Sequence, residues 1–441
     1  MRKQPGKSAK PAWRKPKHKR GASKAIGPVQ TLDIAYIGHR GEGVAWVDQD
    51  GQKIRCYIPY TAAGDTVTAR VNGERGELVA VTGSGEDRSE PFCPHFGSCG
   101  GCALQHVQAS AYAKWKQGVV ETALERQSLS TTIHPIVDAH GSGRRRVTVH
   151  VRSSKQGIEA GFMRVKSHDL LTIDACPILA PELSGCFQVA TRLGEILKSN
   201  CNKMDIQMAA SAAGLDCNII GPRDITYDQH MDLTDLAHAE NFARLAVNDD
   251  VVLEQRPPVL RMGTADARIS SGTFLQATEM GEETLSKLVR DCVGDAKMVA
   301  DLFCGVGPFA LRLADRASIY AADNNEMAIT ALRYAADHTP GLKPIETVQR
   351  DLSADPLTML ELNRFDAVIF DPPRAGAQKQ ARELATSNVP NVVAVSCDAA
   401  SFARDARTLV EGGYSLRHVT PVDQFKWSAH VEMVGYFVRR R

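Results

Sequence analysis

The chain has 441 residues, 43% of them hydrophobic and 24% charged. That length exceeds one ordinary domain, and the composition excludes wholesale disorder and a fibrous fold. No uninterrupted apolar run approaches the ~20 residues of a membrane-spanning helix, and the N-terminal stretch lacks the apolar core of a secretory signal, so a cytoplasmic location is expected. The net charge of +2 conceals an asymmetry: ten Lys/Arg and no acid fall within residues 1–24, which leaves the rest of the chain acidic by about eight charges.

Taken in chain order, residues 1–27 are also rich in Gly, Pro, Ser and Ala and cannot bury a core. They read as a disordered basic arm for phosphates, with a purely solubilising tail as the alternative. From Gln30 to Thr82 five short β-type runs (32–36, 44–47, 54–58, 66–71 and 77–81) alternate with glycine turns. They predict a small OB-like β-barrel over residues 28–84. Barrels of this kind bind oligonucleotides, and His39 and Arg40 in the first glycine turn suit phosphate contact, although fold alone does not decide function.

The stretch 85–268 is expected to form an α+β central domain. Its helix at 109–126 carries Tyr112, Trp115, Val119 and Ala123 at helical spacing, and it is expected to pack on the catalytic domain. Runs at 147–151, 157–163 and 170–173 predict strands of one antiparallel sheet. Of the eleven cysteines, Cys93, Cys99 and Cys102 crowd together, and Cys176-Pro177 follows. Four thiolates suit a [4Fe–4S] cluster or structural zinc, and free thiols remain a third reading. Gly97, Gly100 and Gly101 would let the loop wrap a bulky group. The spacing is not the Cys-x3-Cys-x2-Cys of radical enzymes. Cys56, Cys186, Cys201, Cys217, Cys292 and Cys304 read as buried structural thiols.

Residues 269–441 change character. Apolar runs at 298–303, 318–322, 345–349, 367–370 and 392–396, with helical patterns at 309–316, 325–337 and 402–411, predict a parallel, Rossmann-like α/β sheet. Runs at 417–422 and 431–438 add two closing strands. In Asp301-Leu-Phe-Cys-Gly-Val-Gly-Pro-Phe309, Gly305 and Gly307 allow close approach of a ligand where the first strand turns into its helix. Asp323 ends the next strand, where a carboxylate meets ribose hydroxyls. The missing third glycine disfavours a pyrophosphate and suits S-adenosylmethionine (AdoMet).

Phe370-Asp-Pro-Pro-Arg374 ends the fourth strand. No aromatic residue follows the Pro-Pro pair, which disfavours amine methylation, and no cysteine follows it, which disfavours cytosine C5. Cys397, at the end of the fifth strand, suits uracil instead. C5 of uracil accepts a methyl group only after a thiolate has added to C6, and a base must then remove the C5 proton. Glu432 is the candidate base. A buried thiol is the competing reading of Cys397. Asp398 beside it would oppose thiolate formation, so activation has to come from elsewhere.

With these motifs assembled, the chain resembles the AdoMet-dependent RNA uracil-5-methyltransferases, in particular the iron–sulfur type that acts on 23S rRNA. The likeness runs from about residue 30 to the C-terminus. It is carried by Gly38-His-Arg-Gly-Glu-Gly43, Cys93 to His106, Ser167-His168, Cys176-Pro177, Phe274-Leu-Gln276, Asp301 to Phe309, Asp371-Pro-Pro-Arg374, Ser396-Cys397 and His430-Val-Glu432. The resemblance implies a multidomain protein: an N-terminal TRAM domain, a central domain with a [4Fe–4S] cluster on Cys93, Cys99, Cys102 and Cys176, and a class I methyltransferase domain. It implies Cys397 as nucleophile and Glu432 as proton acceptor. Gln276, Phe303, Gly305, Gly307, Asp323, Asp351 and Asp371 would bind AdoMet, and Phe274, Asp371 and Arg374 the target nucleotide. Asp371 is further expected to accept the uracil N3–H. The implied partner is RNA, 23S rRNA ahead of tRNA; apart from the resemblance, a monomer is expected, with no membrane and no evident protein partner. A non-catalytic RNA-binding assembly factor is the competing reading. Asp398-Ala399, Pro308 and Thr278 depart from the family pattern, which favours Asn-Pro after the nucleophile and Asn at the other two positions.

Overall fold

The computed structural model describes residues 27–155 and 157–440; the expected basic arm lies outside them, Gly27 aside. The first sheet comprises β1 (Val29–Asp33), β2 (Tyr36–Ile37), β3 (Gly43–Gln49), β4 (Gln52–Ile58), β5 (Thr66–Asn72) and β6 (Arg75–Gly83), in the order β1-β5-β6-β4-β3-β2. Alternation builds its core. Val67, Ala69 and Val71 of β5 pack with Ala45, Val47, Cys56 and Ile58 while the residues between them face outward. The single run expected at 32–36 is divided. Ile34 N–H turns to Asp65 O (2.8 Å) and Ala35 N–H to Val44 O (2.8 Å), and these bonds break the ladder between β1 and β2.

Helix α1 (Ala109–Arg126) follows, then two short strands, β7 (Thr132–Ile133) and β8 (Val137–Asp138), that join the C-terminal sheet. The middle sheet contains β9 (Arg146–Ser154), β10 (Gly157–Met163), β11 (Leu170–Thr172), β12 (Lys203–Ser211), β13 (Gly214–Ile220), β14 (Arg244–Val247) and β15 (Asp250–Glu254). Their order is β11-β10-β9-β12-β13-β14-β15, with only β13 and β14 parallel. Helices α2 (Cys186–Leu197) and α3 (Tyr227–Ala239) pack against it, so that Leu193, Leu197, Ile206 and Leu233 share one core.

A hairpin, β16 (Val259–Met262) and β17 (Ala265–Arg268), and helix α4 (Glu279–Val293) lead into the third unit. Its strands are β18 (Met298–Leu302), β19 (Ser318–Asp323), β20 (Ile345–Gln349), β21 (Ala367–Phe370), β22 (Asn391–Ser396), β23 (Tyr414–Asp423) and β24 (Glu432–Arg439). Helices α5 (Ala310–Leu313), α6 (Glu326–Asp337), α7 (Met359–Leu362), α8 (Gln378–Thr386) and α9 (Ala399–Glu411) connect them. The order is β20-β19-β18-β21-β22-β24-β23, with β18 to β22 parallel and β24 inserted antiparallel between β22 and β23. Helices on both faces explain why these strands are near-continuous apolar runs. Strand order reverses between β18 and β21, which opens a crevice at their carboxyl ends.

Helix α1 packs on α9 and β23 through Tyr112, Lys116, Val120 and Leu124, a face rotated by one residue from the expected 112/115/119/123 set. The cause is electrostatic. Lys116, fully buried, pairs with Asp423 at the end of β23 and donates to Phe425 O at 3.1 Å, and Tyr112 OH donates to the other Asp423 oxygen at 2.8 Å. Trp115 instead donates through Nε1 to Gly38 O (3.1 Å), which joins the helix to the first sheet.

Candidate active site

The loop after β18 has a backbone that few sequences tolerate. Phe303, Gly305 and Gly307 all have positive φ (61°, 52° and 85°), and a Cβ on Gly307 would lie 2.4 Å from Leu332 Cδ1. Two carboxylates hold the loop. Buried Asp301 accepts the Ala310 N–H through Oδ2 (2.9 Å), and Asp323 accepts the Gly305 N–H through Oδ2 (2.9 Å) and the Asn325 N–H through Oδ1 (2.8 Å). Asp351, exposed beyond β20, accepts from Ser353 N–H (3.0 Å) and Ala354 N–H (3.2 Å). All of these groups stand at the carboxyl edge of the sheet.

Farther along the same edge three titratable groups converge. Ser396 pairs with Met433 across β22 and β24, so the next residues in that register, Cys397 and Glu432, are neighbours. Asp371 leaves the adjacent β21. Burial, then the Asp371 charge, pushes the Glu432 carboxyl up to about 8, while a hydrogen bond from Gln424 and the Arg374 charge pull it down. Burial likewise raises Asp371 to about 7, opposed by a hydrogen bond from Gln276. Two acids this close cannot both ionise cheaply, and they titrate as a pair. The Cys397 thiol is pushed up to about 11 by burial and by Glu432 and Asp371, and Arg374 favours its thiolate.

Asp398 has a structural task beside the thiol: its Oδ1 accepts Ala400 N–H (3.1 Å) and Ser401 N–H (2.9 Å) as the N-cap of α9. The opposing acids are Glu432 and Asp371, and Arg374 supplies the cation that the sequence left unidentified. Thr278 similarly caps α4, with Oγ1 accepting the Gly281 N–H at 2.9 Å. Both departures therefore occupy capping positions that Asn fills equally well.

Sequence reasoning missed the residue that connects these groups. Fully buried Gln424 donates through Nε2 to Gln276 Oε1 (2.7 Å) and Glu432 Oε1 (3.1 Å), and Gln276 Nε2 reaches Asp371 Oδ2 at 3.5 Å. Also missed was the ion-pair group behind Gln276. Arg145 donates to Gln276 O (3.0 Å) and pairs with buried Glu282, which Arg312 also reaches at 2.8 Å. A lone buried Gln or a remote ion pair leaves no periodic signal in a sequence.

A groove of about 1030 Å³ leads from Cys397 and His430 between α1 and the first sheet. Its walls carry His39, Arg40, Arg55, Lys114 and Arg126 with Tyr36, Tyr57 and Trp115. Arg374 Nη2 meets His430 Nε2 at 3.2 Å beside it. Phe274 does not line this groove. It is 65% exposed beneath the Arg146 guanidinium (4.8 Å) and lines a neighbouring cavity of about 320 Å³.

Cys93, Cys99, Cys102 and Cys176 line a third cavity, of about 470 Å³, and none of them is in a disulfide. Burial raises the Cys102 thiol to about 11, with Cys176 and Cys99 adding to the rise, while a hydrogen bond from the Gln105 side chain and the Arg144 charge oppose it. Among the described residues no group of three or more His, Cys, Asp or Glu is gathered tightly enough to hold a single metal ion. Nor does any of their helices have the length and apolarity to cross a membrane.

A parallel sheet reversed at β18/β21, closed by an antiparallel last strand and carrying a glycine loop after its first strand, defines a class I methyltransferase fold. Comparison with known proteins agrees. The crystal structure of a Pyrococcus abyssi tRNA (uracil-54, C5)-methyltransferase superposes with a TM-score of 0.71 at 21% identity, covering 92% of this chain and 99% of that one. A family model described as tRNA (uracil-5-)-methyltransferase matches residues 223–441. An RNA methyltransferase of Brucella suis, otherwise uncharacterized, is 39% identical over 93% of this chain and 98% of its own length. The 23S rRNA (uracil(1939)-C(5))-methyltransferase RlmD of Shewanella sediminis is 28% identical over 96% and 98%. The chain belongs to the RNA uracil-5-methyltransferase family.

Proposed function

We propose that this protein transfers a methyl group from AdoMet to C5 of a uridine in 23S rRNA, with Cys397 as nucleophile and Glu432 as proton acceptor. The observation that carries the reading is the convergence of Cys397, Glu432, Asp371 and Arg374 at the carboxyl edge of the sheet, at the foot of a groove lined by cations and aromatic rings. Such a groove suits single-stranded RNA, because cations meet phosphates and rings stack on bases. Both RlmD and the Pyrococcus abyssi tRNA enzyme are matched over nearly their full length, and the higher identity to RlmD, 28% against 21%, favours 23S rRNA over tRNA.

In this reading Gln276, Phe303, Gly305, Gly307, Asp323, Asp351 and Asp371 form the AdoMet side of the site. Cys397 Sγ adds to C6, and the electron pair released at C5 takes the sulfonium methyl, leaving S-adenosylhomocysteine. Glu432 then accepts the C5 proton, and the C6–S bond breaks to restore the aromatic base and the thiolate. Asp371 accepts the uracil N3–H, and Arg374 favours the Cys397 thiolate. Phe274, under Arg146, offers an exposed ring for a base drawn out of the RNA fold.

For the four-cysteine cavity the group we propose is a [4Fe–4S] cluster on Cys93, Cys99, Cys102 and Cys176, with structural zinc as the alternative. A cluster spreads four thiolates around a larger body, in keeping with a cavity of about 470 Å³ that all four cysteines line. When bound it would supply electron storage and would cross-link the cysteine loop to Cys176. Iron and acid-labile sulfide in anaerobically purified protein, lost in Cys176→Ala, would establish it.

The test of the reaction is tritium release from [5-³H]uridine-labelled, undermethylated 23S rRNA. Release by wild type but not by Cys397→Ala is the expected result. Release from tRNA alone would move the substrate, and silence on both would favour a non-catalytic RNA-binding factor.

A further inference from the structure

Gln424 sits at the bend after β23, and one neighbour fixes which way round its amide lies. The backbone N–H of Ala277 can only donate, and it meets Gln424 Oε1 at 3.0 Å. Nε2 is therefore turned the other way, toward Gln276 Oε1 (2.7 Å) and Glu432 Oε1 (3.1 Å). The orientation of the Gln276 amide follows in turn: its oxygen is occupied, so its NH2 lies toward Asp371 Oδ2 (3.5 Å). Gly281 makes room for the arrangement. A Cβ there would stand 2.7 Å from Gln424 Oε1 and 2.8 Å from Gln424 Cβ.

We propose that Gln424 is a positioning residue: it holds the Gln276 NH2 beside the Asp371 carboxylate, so that Gln276, besides its place on the AdoMet side, forms with Asp371 a pair of fixed polarity that reads the base. The inference rests on the uracil reading above. Uracil offers an acceptor, O4, beside a donor, N3–H, which matches an amide donor beside a carboxylate acceptor. Cytosine offers the reverse order, a donor at N4 and an acceptor at N3. Inverted pairs in a buried site leave polar groups unmatched, and sites of that kind discriminate strongly. The same Gln424 amide hydrogen-bonds Glu432, so one side chain serves both base selection and the proton acceptor. The other groups that face Glu432 are Asp371 and Arg374, from beyond β21, and Cys397, from the end of β22.

The experiment compares wild type, Gln424→Met and Gln424→Glu in binding RNA that carries uridine or cytidine at the mapped target position, with S-adenosylhomocysteine bound. Wild type is expected to prefer uridine, and Gln424→Met to narrow that preference by about tenfold, the loss of one good hydrogen bond. Gln424→Glu keeps the acceptor for Ala277 N–H, and once ionised it has no donor for Gln276, so at a pH where it is ionised it should narrow the preference at least as far. In both variants the acid limb of the kcat–pH profile should move to higher pH, since Glu432 loses a donor that favours its ionised form. An unchanged melting temperature and far-ultraviolet circular dichroism spectrum would show that the fold is retained. Should Gln424→Met fail to fold, Gln424→Glu carries the test alone. A uridine/cytidine ratio and acid limb equal to wild type would overturn the proposal while leaving the uracil reading intact. Absence of 5-methyluridine from the wild-type reaction would overturn both.

Discussion

Cys397 is surrounded by charges of both signs, and its reactivity is the resultant. Glu432 and Asp371 raise the thiol and Arg374 lowers it. Removing Arg374 should therefore slow alkylation of Cys397 by iodoacetamide at pH 8, and Glu432→Gln should speed it, each by roughly three- to tenfold, since one pKa unit is tenfold in thiolate. Peptide mass spectrometry reads both rates; equal rates in all three proteins would remove Arg374 from the account. Glu432 carries a second consequence. Its folded value of about 8 lies above the ~4.3 of an exposed glutamate. Between those values the native state binds more protons than the unfolded chain, so stability falls as pH rises. The ligand-free Glu432→Gln protein escapes that loss and should become more stable than wild type. The gap should open above about pH 4 and be complete above about 8. Denaturation midpoints from pH 5 to 9 measure it, and a gap that is constant across the range would contradict the assignment.

At the scale of elements, the bend between β23 and β24 is held from outside the methyltransferase unit. Lys116 and Tyr112 of α1 bind Asp423, Trp427 N–H donates to Tyr112 OH at 2.8 Å, and Trp427 O accepts Ala103 N–H (2.8 Å) and Leu104 N–H (3.2 Å) from the cysteine loop. Lys116→Met would leave Asp423 buried without its cation, at a cost of about 3–5 kcal/mol. Adding Asp423→Asn should recover a large part of that loss, because the amide oxygen still serves Tyr112. Urea midpoints of the single and double variants test the coupling; simple additivity would refute it. The register of α1 shows why this contact was not legible in the sequence. Apolar periodicity points to Trp115 and Val119, whereas the helix turns on a charge whose partner lies 307 residues away. Strands β18 to β22 were legible, because burial on both faces writes them as apolar runs. Strands β7 and β8, two residues each, are too short for any period to mark. The same division holds at the site. Motifs named Asp371, Cys397 and Glu432, which sequence places far apart and the sheet brings side by side. Gln424 matters only through the partners that folding gives it.

Across the whole molecule, the groove exists only because separate units meet. The first sheet gives Arg40 and Arg55, α1 gives Lys114 and Arg126, and the end of β22 gives Cys397. The Trp115–Gly38 hydrogen bond fixes the first two walls together. If single-stranded RNA runs along this groove, each cation that meets a phosphate releases a counterion and adds about 0.7 to the slope of log Kobs against log salt. Replacing Arg40, Arg55 or Lys114 by Gln should each lower that slope by about 0.7 and raise KM for RNA. At saturating RNA kcat should be unchanged, since none of the three touches the reacting atoms. Replacing Arg374 should do the opposite, lowering kcat through the thiol while leaving the slope nearly unaltered. Filter-binding titrations between 50 and 300 mM salt, paired with single-turnover rates, separate the two classes. Cations from the first sheet that left the slope untouched would place the RNA elsewhere, with the cavity beneath Phe274 and Arg146 as the next surface to test.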